Sequence, residues 1–323
     1  MSNPGTQILE VGTALPGSTV RHLDIAPDPR LRHSNTPHHN HHNAYEHCPR
    51  QENPVPHTDL DPEFVEPLRY YQEDLEKLSC EPQAQEATEA TPWIASFMFN
   101  CDVPKKVVDG YRAAAVLIDP CWLLTCGHVF GDIFRPEDAP KFEDLDLYVR
   151  IGGQQLGTGT VHRFDKVVTN RFRMKDRSVL WGPVNDLALV RLTEPADAEP
   201  AVLADFHGLR VGHRIRAYGW PDGRRGTGRL TRVDTEVIPP ESCIGMAPGP
   251  GDACVANVAS APMRPGYSGG PAFLLPDGDT SAAPLLTGVV SRGIYGQPEI
   301  FPGVVTDLTA HLPFIRATIA GNH

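Results

Sequence analysis

Turn-forming residues set the limits on what this chain can fold into. It carries 29 glycines and 32 prolines in 323 positions, scattered without a period. Proline inside a helix removes a backbone bond, and glycine weakens the helix that holds it. A helical bundle is therefore disfavoured and a turn-rich β protein is expected. Hydrophobic residues at 40% and charged residues at 21% are enough for a packed core. No run approaches the ~18–20 apolar residues of a spanning helix, so no membrane partner is expected. The net charge of −11 argues against nucleic acid, whose phosphates call for a basic surface.

The charge is unevenly placed. Residues 1–90 hold six Lys/Arg against fifteen Asp/Glu, a net of −9, which leaves −2 for the other 233 residues. Eight of the 14 histidines also fall in that first stretch. Residues 1–60, with scattered Pro, Asn, Thr and His, read as a disordered, acidic, His-rich arm. Met1 to Ile8 lacks the basic and apolar regions of a secretory signal. The cytoplasm is then the default compartment, with secretion as the alternative. His38, His39, His41 and His42 are ligand types that a transition metal accepts, but no structural-zinc spacing accompanies them. No metal and no cofactor is assigned. Residues 61–91 read as an amphipathic helix and a linker. Phe64, Leu68, Tyr71, Leu75 and Leu78 follow at steps of three and four, which puts them on one helix face. That stripe needs a surface to cover it, by default within the chain. A regulatory protein partner bound through this N-terminal extension is the other occupant.

From Pro92 to the end the pattern is one of short apolar runs between turn signals, as in 113–118, 145–151, 186–192, 214–218, 285–290 and 303–306. Such spacing predicts a sandwich or barrel. Leu308, Leu312, Ile315 and Ile319 have helical spacing and predict a C-terminal helix. Three segments carry chemistry. Trp122-Leu-Leu-Thr-Cys-Gly-His128 is an apolar strand ending in a histidine, and Asn185-Asp186-Leu-Ala-Leu-Val-Arg-Leu192 is a strand headed by an aspartate. Pro265-Gly266-Tyr267-Ser268-Gly269-Gly270-Pro271 sets a serine in a glycine-rich turn. A serine nucleophile needs a base, a buried carboxylate to orient that base, and backbone donors for the oxyanion. His128, Asp186 and Ser268 supply the first three groups, and the N–H groups of Gly266 and Ser268 supply the donors. A strand-turn-helix nucleophile elbow is the competing reading. Gly269-Gly270-Pro271 followed by Ala-Phe-Leu-Leu reads instead as turn and strand.

These motifs resemble those of trypsin/chymotrypsin-like serine proteases. Leu-Thr-Cys-Gly-His128 is similar to Leu-Thr-Ala-Ala-His, Asn185-Asp186-Leu-Ala-Leu to Asn-Asp-Ile-Ala-Leu, and Gly266-Tyr-Ser268-Gly-Gly-Pro to Gly-Asp-Ser-Gly-Gly-Pro. Pro92-Trp93 and Pro302-Gly303-Val-Val-Thr306 match flanking strands, and Gly288-Val-Val-Ser291-Arg-Gly293 resembles the strand that walls the primary specificity pocket, whose serine is thereby implied to hydrogen-bond the catalytic aspartate, Asp186. The resemblance covers residues 92–323. It implies an all-β fold of two antiparallel six-stranded β-barrels with a C-terminal helix, here preceded by an N-terminal extension. It further implies a serine endopeptidase acting on protein or peptide substrates through an acyl-enzyme. The alternative is an inactive, protease-like binding module that recruits a protein partner.

The departures from the family are informative. Tyr267 stands where trypsin-like zymogens have the aspartate that pairs with a new N-terminal amine, and no activation site precedes Pro92. Ordering of the oxyanion hole without cleavage is therefore expected, either constitutively or through a partner. The resemblance implies one surviving disulfide, Cys243–Cys254. It leaves Val129 and Ala113 in place of a bridged pair, and Arg264 where a bracing cysteine often stands. Cys126 reads as a small buried apolar group. In the same way Pro262 falls at the floor of the primary specificity pocket, with Met263, Ser291, Arg292, Gly293 and Gly303 as further substrate-binding positions. A floor without an acid removes the main support for Lys/Arg preference. Met263, Gly293 and Gly303 favour a neutral or apolar side chain, whereas Arg264 or Arg292 would favour an acidic one. The acidic stretch 132–146 lacks the spacing of a calcium loop and reads as a solvated loop.

Overall fold

Side chains alternate across a pleated strand, and the run Leu147–Ile151 shows it plainly. Leu147, Val149 and Ile151 are buried, and the residues between them face partly outwards. The computed structural model describes residues 6–10, 71–99, 110–130, 147–170, 173–174, 183–205, 208–223, 226–243, 246, 248–258, 260–276, 284–293 and 301–321. The histidines at 38–42, the acidic stretch 132–146, and Phe64 and Leu68 of the predicted helix lie outside the described residues. Residues 1–12 and 62–323 form one compact unit.

In chain order the strands begin with β1 (Thr6–Glu10), β2 (Gln83–Glu86), β3 (Ile94–Phe99), β4 (Tyr111–Asp119), β5 (Trp122–Thr125) and β6 (Leu147–Ile151). Next come β7 (Thr160–His162), β8 (Phe164–Asn170), the short β9 (Arg173–Met174) and β10 (Pro183–Val184), and β11 (Ala188–Leu192). The second half adds β12 (Arg214–Gly219), β13 (Thr231–Ile238), β14 (Asp252–Val255), β15 (Pro271–Leu274), β16 (Leu285–Gly293) and β17 (Gly303–Asp307). The first sheet runs β1-β8-β11-β5-β4-β3-β6-β7, and the second runs β12-β15-β16-β17-β14-β13-β2 with β12 also paired to β13. The fold is chymotrypsin-like, with two barrel-like sheets.

The expected six strands per barrel are recognisable, and each sheet carries more. In the second, β12 to β17 close on themselves through the β12–β13 pair, and β2 adds a seventh strand against Thr231–Asp234. In the first, β1 and β7 extend the two ends of a six-stranded centre. Two expectations change here. Thr6–Glu10, within the arm expected to lack order, pairs antiparallel with Lys166–Asn170. Residues 81–91, expected to be a linker, contribute β2. All four β2 residues are exposed, so backbone pairing rather than burial holds this strand. Glu89 then ties the same segment down, accepting from the Tyr218 hydroxyl at 2.5 Å and pairing with Arg232 at 2.9 Å. Burial would push the Glu89 carboxyl up, but the Tyr218 bond and the Arg232 charge hold it at about 2.

One core centres on the first sheet and takes in Phe273, Leu286 and Val289 of the second, and another lies within the second sheet. Ile94, Phe97, Val116, Leu117, Leu123, Leu124 and Leu189 are fully buried in the first, and Ile215, Ala217, Val233, Val255 and Val305 in the second. Trp93 joins the halves, packing on Phe273 at 4.5 Å and edge-on to Tyr218 at 5.2 Å. The predicted C-terminal helix is present. A 3-10 turn, Leu308–His311, leads into the α-helix Leu312–Ala320, with the Asp307 carboxylate accepting from Thr309 N as the N-cap. Its buried Leu308 and Ile315 belong to the core of the first sheet.

The N-terminal extension docks on the second sheet. Residues 71–75 are helical, and Tyr71 of the predicted apolar face is buried. Its hydroxyl donates to Asn257 O at 2.5 Å and accepts from Asn257 N at 2.8 Å. Ser79 bonds the Glu236 carboxylate, and Ser242 bonds that of Asp74. Tyr71→Phe leaves a buried N–H and C=O at Asn257 without their partner. It should destabilise the protein by about 1–3 kcal/mol, read as a lower midpoint in urea unfolding; an unchanged midpoint would mean that this contact is not made in solution.

Candidate active site

The strand β5 ends at Thr125, whose hydroxyl donates to Ala114 O at 2.8 Å. The chain then tightens into the 3-10 turn Gly127–Phe130, which carries His128. Asp186 sits in the turn just before β11, after Asn185 at φ +53°, a left-handed conformation that asparagine tolerates better than most residues. The Asp186 carboxylate is wholly buried. It accepts from His128 Nδ1 at 2.8 Å, from His128 N at 2.9 Å, and from the Ser291 hydroxyl on β16 at 2.5 Å. Thr306 Oγ1 on β17 donates to its backbone carbonyl at 3.3 Å. Two of the three predicted triad members and Ser291 are thus brought together.

Burial alone favours the neutral imidazole. The Asp186 carboxylate outweighs it through charge and hydrogen bond, and Cys126 adds to the effect. The His128 ring pKa is held well above the ordinary histidine value. Asp186 is held low for the reciprocal reason: burial pushes it up, and His128 and Ser291 more than reverse that.

Ser268 lies in a turn wedged between the sheets. Its carbonyl accepts from Ala114 N on β4 at 2.9 Å, and Gly269 N donates to Val290 O on β16 at 2.9 Å. Gly266 and Gly269 are both left-handed, at φ +108° and +79°. A Cβ on Gly269 would stand 2.1 Å from Ala114 O, and one on Gly266 would stand 2.0 Å from Trp220 O. Only glycine fits either place. The loop is further tied by Tyr111, whose hydroxyl donates to Gly266 O at 2.6 Å. Tyr267, Gly269 and Gly270 all donate their N–H groups within the protein. Those of Gly266 and Ser268 meet no acceptor among the described residues. The His128 Nε2 atom faces the Cys126 sulfur at 3.6 Å. Among the described residues, no hydrogen bond joins the Ser268 hydroxyl to that ring.

The predicted specificity positions separate into two groups. Pro262, half-buried, and Met263, buried, lie on one side, and a Cβ on Gly303 would stand 2.8 Å from Met263 Cε. Among the described residues, the nearest atom to such a Cβ on Gly293 is Pro302 O at 4.0 Å. Arg292 turns elsewhere. Its guanidinium donates to Asp252 Oδ2 at 2.8 Å, to Met246 O at 3.1 and 3.2 Å, and to the Ser291 oxygen at 3.1 Å. Arg264 stands 3.9 Å from Asp222. The predicted disulfide Cys243–Cys254 is formed, with Cα atoms 5.7 Å apart.

The Ser291 bond to Asp186 is the one the family resemblance implied; sequence reasoning missed its extension through Arg292 to Asp252, since nothing in the sequence pairs residues 252 and 292. It also missed Cys126 at the ring, although a cysteine replacing alanine beside the histidine was a visible signal.

An NMR titration checks the pair. The His128 ring is expected to keep its proton above the ordinary ~6.5. Asp186→Asn removes the charge that opposes burial, so the ring pKa should fall below that value. A pKa unmoved by this substitution would contradict the coupling.

Comparison with known proteins gives a consistent result. The family model described as Trypsin matches residues 82–315. Kallikrein 1-related peptidase b3 of Mus musculus is 27% identical over 243 residues, covering 66% of this chain and 82% of that protein. Coagulation factor XII of Sus scrofa is 27% identical over 226 residues, 63% of this chain and 35% of its own length. Neuropsin, a serine protease expressed in the limbic system of mouse brain, superposes with a TM-score of 0.56. That match has 21% identity over 73% of this chain and 98% of that one, and it speaks for the fold.

Proposed function

The chain belongs to the trypsin family of serine proteases, and from that membership we propose that it is a serine endopeptidase acting through an acyl-enzyme. The observation that carries the reading is the buried Asp186 carboxylate accepting from both His128 Nδ1 and His128 N. A proton fixed on Nδ1 leaves the Nε2 lone pair as the base. Ser268 Oγ attacks the peptide carbonyl carbon as Nε2 takes its proton. The imidazolium then gives that proton to the departing amine as the C–N bond breaks, leaving an ester on Ser268. Water, deprotonated by the same nitrogen, hydrolyses the ester, and the proton returns to Ser268. The unengaged N–H groups of Gly266 and Ser268 receive the oxyanion; such a donor is worth roughly 10²–10³ in kcat. Bonds between nucleophile and base are often long before substrate binds.

The nucleophile loop is ordered without a cleaved N-terminus. Tyr267 is buried with its ring against Gly219, where a Cβ would stand 2.7 Å from it. Tyr111 holds Gly266 O. Tyr71 holds Asn257, whose side chain in turn accepts from Met263 N at 2.7 Å. The substrate side chain next to the scissile bond is neutral and apolar, because Met263 crowds Gly303 and both candidate arginines face carboxylates.

One observation favours the second reading, an inactive binding module: the Cys126 sulfur stands before Nε2, where the serine hydroxyl would be wanted. A fluorophosphonate probe separates the two. Uncut wild-type protein should label and Ser268→Ala should not, and Edman sequencing of the labelled protein should read the original N-terminus. Folded wild-type protein that resists the probe would favour the binding module. Labelling that first requires a cut near residues 85–92 would contradict cleavage-independent ordering.

Specificity is tested with a peptide library. Wild type should prefer apolar residues, and Met263→Gly should raise kcat/KM for bulky aromatic ones by roughly tenfold or more. Preference for Asp or Glu would overturn the assignment.

A further inference from the structure

We propose that Cys126 and His128 form a binding site for a single soft metal ion such as Zn²⁺ or Cd²⁺, held on Nε2 of the same ring that Asp186 orients. The sulfur and Nε2 are 3.6 Å apart. A tetrahedral zinc ion, at about 2.3 Å from sulfur and about 2.0–2.1 Å from nitrogen, requires those two ligands to be roughly 3.5–3.6 Å from one another. The spacing is therefore already that of two corners of a zinc tetrahedron, and the ion binds with little rearrangement of either side chain. Cys126 Sγ, His128 and a carboxylate oxygen of Asp186 all lie within 4.8 Å of one another.

The three residues divide the work. Asp186 accepts from Nδ1 at 2.8 Å, the arrangement in which a carboxylate fixes the tautomer and orientation of a metal-bound histidine. Its charge is committed there and to Ser291, so it supports the site from behind the ring. Thiolate with imidazole is a soft set that suits zinc, cadmium and copper(I) over magnesium or calcium. The thiol proton leaves to solvent when the ion binds. The His128 side chain is 13% exposed and Cys126 is fully buried, so further ligands would reach the ion from the His128 side. Spacing along the chain alone assigns no metal here, because the residue between the two ligands, Gly127, gives a Cys-x-His step that belongs to no standard zinc pattern.

Occupancy ties up the lone pair that deprotonates Ser268. The ion is then a reversible lock on the active site, a consequence that rests on the protease reading; the binding itself does not.

Cadmium chloride titrated into the full-length, metal-free protein tests the binding without reference to turnover. The readout is the thiolate-to-cadmium charge-transfer absorption, compared between wild type and Cys126→Ala, whose other thiols (Cys80 and Cys121 among the described residues) and histidine-rich arm are the same. Wild type should take up one more equivalent, with a charge-transfer increment that Cys126→Ala lacks. Asp186→Asn should keep the increment and weaken its affinity by about 10–100-fold, and His128→Gln should weaken it further. Equal stoichiometry and absorption in wild type and Cys126→Ala would overturn the site and leave a plain S–H···N contact. Failure of the metal-free protein to react with a fluorophosphonate speaks against the protease reading alone and leaves this result intact.

Discussion

A carboxylate without solvent organises this molecule. Removing a charge from water costs several kcal/mol unless donors replace the lost hydration. Asp186 receives its replacements from the turn after β5 and from β16, one in each sheet. Satisfying that one group therefore joins the two barrels at a defined place. The Ser268 carbonyl on Ala114 N and the Trp93 stack on Phe273 pin the same seam on either side. Arg292 and Asp252 extend the polar chain inward, with side chains only 10% and 4% exposed. The charge on Asp186 is thereby steadied through Ser291 by a guanidinium that is itself neutralised.

Among the described residues, the loop bearing Ser268 is held without a buried ion pair. A single buried ion pair concentrates stability in two groups, and losing either costs about 3–5 kcal/mol. Here a neutral phenol is buried at residue 267, and order comes from several separate contacts: Tyr111 on Gly266, Tyr71 on Asn257, and Asn257 on Met263. Neutral hydrogen bonds contribute about 0.5–1.5 kcal/mol each. The loop is held in small increments spread over separate contacts.

Much of this was legible from residues alone. His128, Asp186 and Ser268 stood out because they occur together in that order, each at a strand end or in a loop, and because the serine sits among glycines, where φ is now +108° and +79°. The six apolar runs all fall on strands among the described residues, and the Cys243–Cys254 bridge is present. What escaped was held by forces that leave no pattern. In β2 four exposed residues show no alternation, since only their backbone is used. Arg292 reads as a pocket cation until folding brings Asp252, forty positions away, within 2.8 Å. Cys126 was correctly placed in the interior, but its direction towards the ring depends on how the 3-10 turn presents His128.

The C-terminal helix gives the fold a particular order of assembly. Leu308 and Ile315 belong to a core that lines β3 to β11 and also takes in Phe273, Leu286 and Val289 of the second sheet. The last of those strands ends at Leu192, 116 residues before Leu308 leaves the ribosome. At ~5–20 residues per second, that stretch takes roughly 6–23 s to make. A chain cut short before Leu308 would therefore lack buried contacts in the half of the protein translated first.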